Sequence, residues 1–156
     1  MEKITTCLWF DTEAEEAAQF YASIFPDSRI TDVSHYGEAG PREAGSVMTV
    51  SFELMGRTFV GLNGGPDHEI AGVGISFVVP CESQAEVDAF WSRLADGGAE
   101  IACGWLTDRY GVAWQIVPTR LQELLSDPDR EKAQRVMGAM LQMKKIEISE
   151  LERAAA

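Results

Sequence analysis

The chain has 156 residues, 46% of them hydrophobic and 24% charged, a balance suited to one globular domain with a proper core. A formal net charge of -12 disfavours nucleic acid and anionic membranes as partners, since each needs a basic patch and the 13 Lys and Arg form no run beyond Lys144-Lys145. No apolar run reaches the roughly 18 residues of a membrane span, and MEKITTCLWF lacks a signal-peptide cleavage pattern, so a cytoplasmic protein is expected.

Ile4 to Phe10 reads as a strand. Asp11 to Phe25 follows as an acidic-started amphipathic helix, with Ala14, Ala17, Ala18, Tyr21 and Phe25 on one side and Pro26-Asp27 as its stop. Three strands come next, Arg29 to Tyr36, Ser46 to Leu54 and Arg57 to Asn63, the last two joined by a tight turn at Met55-Gly56. Alternation in the middle strand gives one apolar face, Met48, Val50, Phe52 and Leu54. The other face is mixed, with Val47, Thr49, Ser51 and Glu53.

The same order then repeats. Val73 to Val79 reads as a strand, and Ser83 caps a helix that carries Val87, Phe90, Trp91 and Leu94 on one face and ends at Gly97-Gly98. Glu100 to Cys103, Trp105 to Asp108 and Val112 to Val117 are the following strands, with Arg109-Tyr110-Gly111 as the turn of the last hairpin. Phe20-Tyr21 matches Phe90-Trp91 and Phe59 matches Trp114, so Phe59 and Trp114 should point one way and Val60 and Gln115 the other. From Thr119 the pattern is helical: Leu121 to Leu125, then Asp129 to Met143 with a stripe of Ala133, Val136, Met137, Met140 and Leu141. That stripe can dock on its own fold or face a partner subunit.

Two tandem strand-helix-three-strand modules resemble the vicinal oxygen chelate superfamily, which includes glyoxalase I, bleomycin-resistance proteins and extradiol dioxygenases. The resemblance is to its PhnB-like branch, labelled 3-demethylubiquinone-9 3-methyltransferase-like. It rests on Leu8-Trp-Phe10, Tyr36-Gly-Glu-Ala-Gly-Pro41, Gly45-Ser-Val-Met48, Leu62-Asn-Gly-Gly-Pro66, Cys103-Gly-Trp-Leu-Thr-Asp108, Trp114-Gln-Ile-Val-Pro118 and Leu141-Gln-Met-Lys-Lys-Ile146. It implies an α+β fold: a single glyoxalase-like domain over residues 1–156, its two βαβββ modules (about 1–66 and 72–118) forming curved mixed sheets around a cavity, with C-terminal helices over 119–156. It also implies a homodimer.

Enzymes of the superfamily usually hold a divalent metal with His or Gln and Glu on the first and last strands of each module. Carried over here, those positions fall on Thr6, Val60, Ser76 and Gln115, within one or two residues. Neutral hydroxyls, an amide and an aliphatic side chain are poor transition-metal ligands, so no metal is expected. The only histidines, His35 and His68, stand at a strand end and in a Gly-Pro loop, without partners at ligand spacing. The cysteines, Cys7, Cys81 and Cys103, lack zinc spacing and read as reduced and mostly buried thiols; Cys103 has no base placed to activate it. The glycines of residues 37–45 lie between two strands, and Asn63-Gly-Gly-Pro66 lacks a following helix or Lys, so neither is a cofactor or phosphate cradle and no cofactor is expected.

These readings make the chain a metal-independent small-molecule-binding protein, with a cup lined by Thr6, Leu8, Thr49, Ser51, Glu53, Ser76 and Gln115 and with Trp105 near the rim. One alternative is a lyase, isomerase or transferase in which Glu53 or a relocated metal acts on a small metabolite, which requires Glu53 to be desolvated. Another is a non-catalytic interaction protein whose pocket is vestigial.

Overall fold

Alternation and helical spacing in the N-terminal half become β1 (Thr6–Phe10), α1 (Ala14–Ile24), β2 (Arg29–His35), β3 (Val47–Leu54) and β4 (Arg57–Asn63). The computed structural model describes residues 3–156, and the chain forms two compact units, Met1–Ile70 and Ala71–Ala156, whose boundary falls between the two modules. In the first unit the sheet order is β1-β4-β3-β2, with β1 parallel to β4 and the other pairs antiparallel. The β3–β4 hairpin turns at Met55 and Gly56, both at positive φ (49° and 81°), as a two-residue turn of the primed type requires.

Helix α1 buries Ala14, Ala17, Ala18, Tyr21 and Ile24. It starts at Ala14 rather than Asp11 because its cap comes from another strand: the Ala14 amide donates to Asn63 Oδ1 at 2.9 Å, while Asn63 Nδ2 donates to Val47 O at 3.1 Å. Gly61 lets the helix lie close, since a Cβ there would stand 3.1 Å from the Ala14 Cβ. Beneath it Tyr21, Phe52 and Phe59 stack, with Phe52 and Phe59 centroids 5.3 Å apart. Each such buried ring contributes about 1.5–3 kcal/mol.

The second unit repeats the order as β5 (Phe77–Cys81), α2 (Gln84–Ala95), β6 (Ala99–Glu100), β7 (Trp105–Thr107) and β8 (Ala113–Pro118), in a sheet ordered β5-β8-β7-β6. Ser83 caps α2 as expected, its hydroxyl accepting from the Glu86 amide at 3.2 Å. The first strand lies later than the sequence pattern suggests. Gly72 and Gly74 leave the stretch before Phe77 irregular, and parallel pairing with β8 runs from Phe77↔Trp114 to Cys81↔Pro118. Pro80 is tolerated because β5 is an edge strand of this sheet.

Strand β6 is also shorter than expected, because the chain turns at Cys103 and Gly104, with φ of 56° and 84°, closed by Trp105 N donating to Ala102 O at 3.0 Å. The next hairpin turns where Arg109-Tyr110-Gly111 predicts. After it come α3 (Thr119–Leu125), α4 (Arg130–Met140) and α5 (Ile148–Ala155). Leu121, Leu124, Val136, Met143, Ile146 and Leu151 form their common core. The α4 stripe is therefore used within its own unit: Val136 is buried in this cluster, Met140 packs against it, and Leu141 remains exposed. The architecture is α+β, two βαβββ modules followed by C-terminal helices. No described helix is long and apolar enough to cross a membrane.

Candidate functional site

Each sheet has one face covered by its own helix, and alternation places the functional side chains on the other. In the first unit α1 lies over Phe52, Phe59 and Gly61. Register pairs Thr6 with Phe59 and Leu8 with Gly61, so Thr6 and Leu8 belong to the helix-covered face; Leu8 is buried and Thr6 Oγ1 accepts from Arg57 Nη2 at 3.3 Å. The sequence reading grouped them with Thr49, Ser51 and Glu53, and the structure separates the two sets. The first-strand residues that share a face with Thr49, Ser51 and Glu53 are Cys7 and Trp9, a slip of one position that reverses the side.

On this open face the Ser34 and Thr49 hydroxyls share a hydrogen bond, and Glu53 pairs with Arg29 at 3.4 Å. The Glu53 side chain is 37% exposed, so the desolvation that a base role requires is not provided. Val60 lies on the same face beside Cys7 and Ser51. Trp9, which the sequence reading passed over, donates its indole N–H to Gly65 O at 2.8 Å and meets the His68 ring edge-on at 4.8 Å. Correct strand register was the signal that could have found it.

In the second unit α2 covers Val79, Leu106, Trp114 and Ile116, using Val87, Trp91 and Leu94. Phe59 and Trp114 thus both face their helices, and Val60 and Gln115 both face away, as the repeat predicts. Here the structure does bring the expected residues together: Gln115 Nε2 donates to Ser76 Oγ at 2.9 Å, and Trp105 is the cross-strand partner of Gln115. All three are half-buried. Val78, partner of Gln115 on the other side, is 57% exposed and adds apolar surface. Farther along β8, Val117 shares this face but packs against the core of the C-terminal helices.

The residues at the transferred metal positions do not suit a metal. Thr6 is on the covered face, Val60 is aliphatic, and Ser76 and Gln115 are neutral and bonded to each other. Among the described residues no cluster of three or more His, Cys, Asp or Glu could hold an ion. Of the thiols only Cys81 is buried; Cys7 is exposed and Cys103 half-buried, because Cys7 points away from α1 and Cys103 sits in a turn. Burial, then Glu86 and Glu82, push the Cys81 thiol up to about 12. Partial desolvation also raises the Cys7 thiol, although its side chain is the most open of the three.

Asp108, which the sequence pattern places only at the end of a strand, is the buried anchor of the last hairpin. Its Oδ1 accepts from the amides of Tyr110 (2.8 Å) and Val112 (3.1 Å), and its Oδ2 from the Trp114 indole at 2.8 Å. A carboxylate followed by a turn glycine was the visible sign of such a turn.

The family model described as 3-demethylubiquinone-9 3-methyltransferase matches residues 2–117. The chain belongs to this family, a PhnB-like branch of the vicinal oxygen chelate superfamily. The PhnB protein of Bacillus cereus is 37% identical, with 75% of this chain and 99% of that chain covered and a TM-score of 0.67. A protein of Pseudomonas aeruginosa at 22% identity, covering 76% and 98%, has a TM-score of 0.61 and shows the shared fold. No curated protein matches the chain. The family match ends before α3.

Proposed function

We propose that the protein binds a small, neutral, ring-containing molecule through the open face of its second sheet, without a resident metal. The carrying observation is the Ser76–Gln115 pair set beside the Trp105 indole. An amide and a hydroxyl offer both donor and acceptor groups without charge, and the indole offers an apolar platform, the combination that orients a polar ring compound. Thr49, Ser51, Ser34 and Trp9 give the open face of the first sheet further neutral hydrogen-bonding and aromatic groups, but that face also carries the Arg29–Glu53 pair and the exposed carboxylate of Asp32, the cross-strand partner of Ser51, so the second sheet suits a neutral ligand better.

Membership in a family named for methyl transfer does not change this reading. A nucleoside cofactor is usually cradled by a glycine turn between strand and helix, whereas the glycines of residues 37–45 join β2 to β3. The test is a thermal-shift screen of neutral aromatic metabolites, followed by titration of the best compound into Gln115→Ala. Loss of affinity of about tenfold supports the reading, since one neutral hydrogen-bonding group plus its orphaned partner is worth about that factor. Unchanged affinity in Gln115→Ala would place the ligand elsewhere.

A further inference from the structure

The stretch Leu141-Gln-Met-Lys-Lys-Ile146 carries the family resemblance, yet it lies beyond the matched residues 2–117 and takes no part in the proposed site. Its structure gives it a task. Between α4 and α5 the chain runs as a strap across the Cys103–Gly104 turn. The Cys103 amide donates to Met143 O at 2.8 Å and the Gly104 amide to Lys144 O at 2.8 Å. Both turn residues hold positive φ, which directs these amides away from their own hairpin, and the strap supplies the acceptors.

Three further residues hold the strap down. Gln84, the first residue of α2, donates to Ile146 O at 3.0 Å and accepts from the Ile148 amide at 2.8 Å. Lys145 pairs with Asp88 of α2 at 2.7 Å and with Glu147 at 3.3 Å. The Ile146 side chain closes over Gly104, where a Cβ would stand 3.1 Å from it and 2.9 Å from Ile116 O. Met143 and Ile146 are buried in the core of the helical extension, so the strap's position is set by α3, α4 and α5 together.

The residue that leaves this turn is Trp105. Its amide closes the turn on Ala102 O, and its carbonyl accepts from Ile101 N at 3.0 Å. We propose that the C-terminal extension is a positioning device for the binding face: the strap clamps the 103–104 turn and thereby fixes Trp105 beside Gln115, with Gln84 as the residue that locks the strap. The role of Trp105 in binding rests on the function proposed above; its placement by the strap does not.

The test uses the full chain labelled with 5-fluorotryptophan, whose four signals are assigned by single Trp→Phe variants, with 2-naphthol as a neutral aromatic probe. Gln84→Met keeps the side-chain bulk and removes both strap bonds. The expected result is faster amide exchange at Cys103 and Gly104, a shifted or broadened Trp105 signal with Trp9, Trp91 and Trp114 unmoved, and weaker 2-naphthol binding by about tenfold. Lys145→Met should move the same signal less, because its ion pairs are partly exposed. A Trp105 signal that stays in place in both variants, or shifts only together with Trp91 and Trp114, overturns the proposal, because the strap is then merely stabilising. A moving Trp105 signal in a protein that shows no 2-naphthol binding upholds the strap and overturns the binding face.

Discussion

Asp108 gives the sharpest test of how the last hairpin is held. Its carboxylate is buried and accepts from two backbone amides and the Trp114 indole. In Asp108→Ala the half-buried Tyr110 amide can be rehydrated, whereas the buried Val112 N–H and Trp114 Nε1–H lose their carboxylate acceptor. At about 1–3 kcal/mol for each orphaned buried donor, the loss is about 2–6 kcal/mol, a large share of the roughly 5–15 kcal/mol that holds a domain folded. Asp108→Asn retains Oδ1 for the two amides but turns an NH2 toward the indole N–H, so one bond is lost and the cost falls to about 1–3 kcal/mol. Urea denaturation followed by tryptophan fluorescence measures both. An Ala variant within about 1 kcal/mol of wild type, or an Asn variant worse than Ala, would refute the account of Asp108 as the hairpin's anchor.

Native DTNB titration at about pH 8 should label Cys7 first and Cys103 slowly, and leave Cys81 untouched until unfolding. With its thiol pushed up to about 12, Cys81 has only about one molecule in ten thousand as thiolate at that pH; fast reaction of a buried thiol would contradict this. Elemental analysis after gentle purification should find less than stoichiometric zinc, nickel, iron or manganese; one equivalent that is lost in Gln115→Ala would overturn the metal-independent reading. Light scattering should give about twice the 17.1 kDa chain mass. Strands β1 and β5 are edges of their sheets, and Ile75 and Val78 carry exposed apolar surface at one of them, which a second copy would cover; a monomer at tens of micromolar would refute this. Acid should loosen the strap. Hydrogen bonding from Lys145, then Gln84, holds the Asp88 carboxyl below its ordinary range, so its contribution is present above about pH 4 and is lost as pH falls through the lowered value. Amide exchange at Cys103 and Gly104, corrected for intrinsic rates, would show no acid-induced change if Asp88 were idle.

The repeated module was readable because its elements are written locally. Ala14, Ala17, Ala18 and Tyr21 recur at helical spacing, and Met48 to Leu54 alternate at the period of a strand, so each pattern names both its element and its buried face. What failed were boundaries that depend on distant partners. The start of α1 is set by Asn63, and β5 lies where pairing with Trp114 to Pro118 places it, after two glycines that the apolar pattern around Val73 and Ile75 obscured. Helix α5 was covered only by the general helical character of the tail, since its one fully buried residue, Leu151, makes a weak stripe by itself.

The faces on which the candidate residues stand were legible where alternation within one strand set them, and less so where they depended on counting across the repeat. Thr49, Ser51 and Glu53 share a face because period two requires it, Trp105 meets Gln115 because β7 and β8 pair in register, and Ser76, just before β5, is reached by the Gln115 amide. Thr6 and Leu8 were transferred by spacing from a helix, and an error of one residue in a strand reverses the face. Nothing in the local sequence around Cys103 announces that its amide belongs to Met143, because the left-handed turn and the strap that caps it are far apart in the chain. The motif carrying Met143 to Ile146 could therefore be seen in the sequence while its task could not. The contacts that give it one are carbonyl oxygens, which every residue type supplies alike, so only the fold reveals which turn they serve.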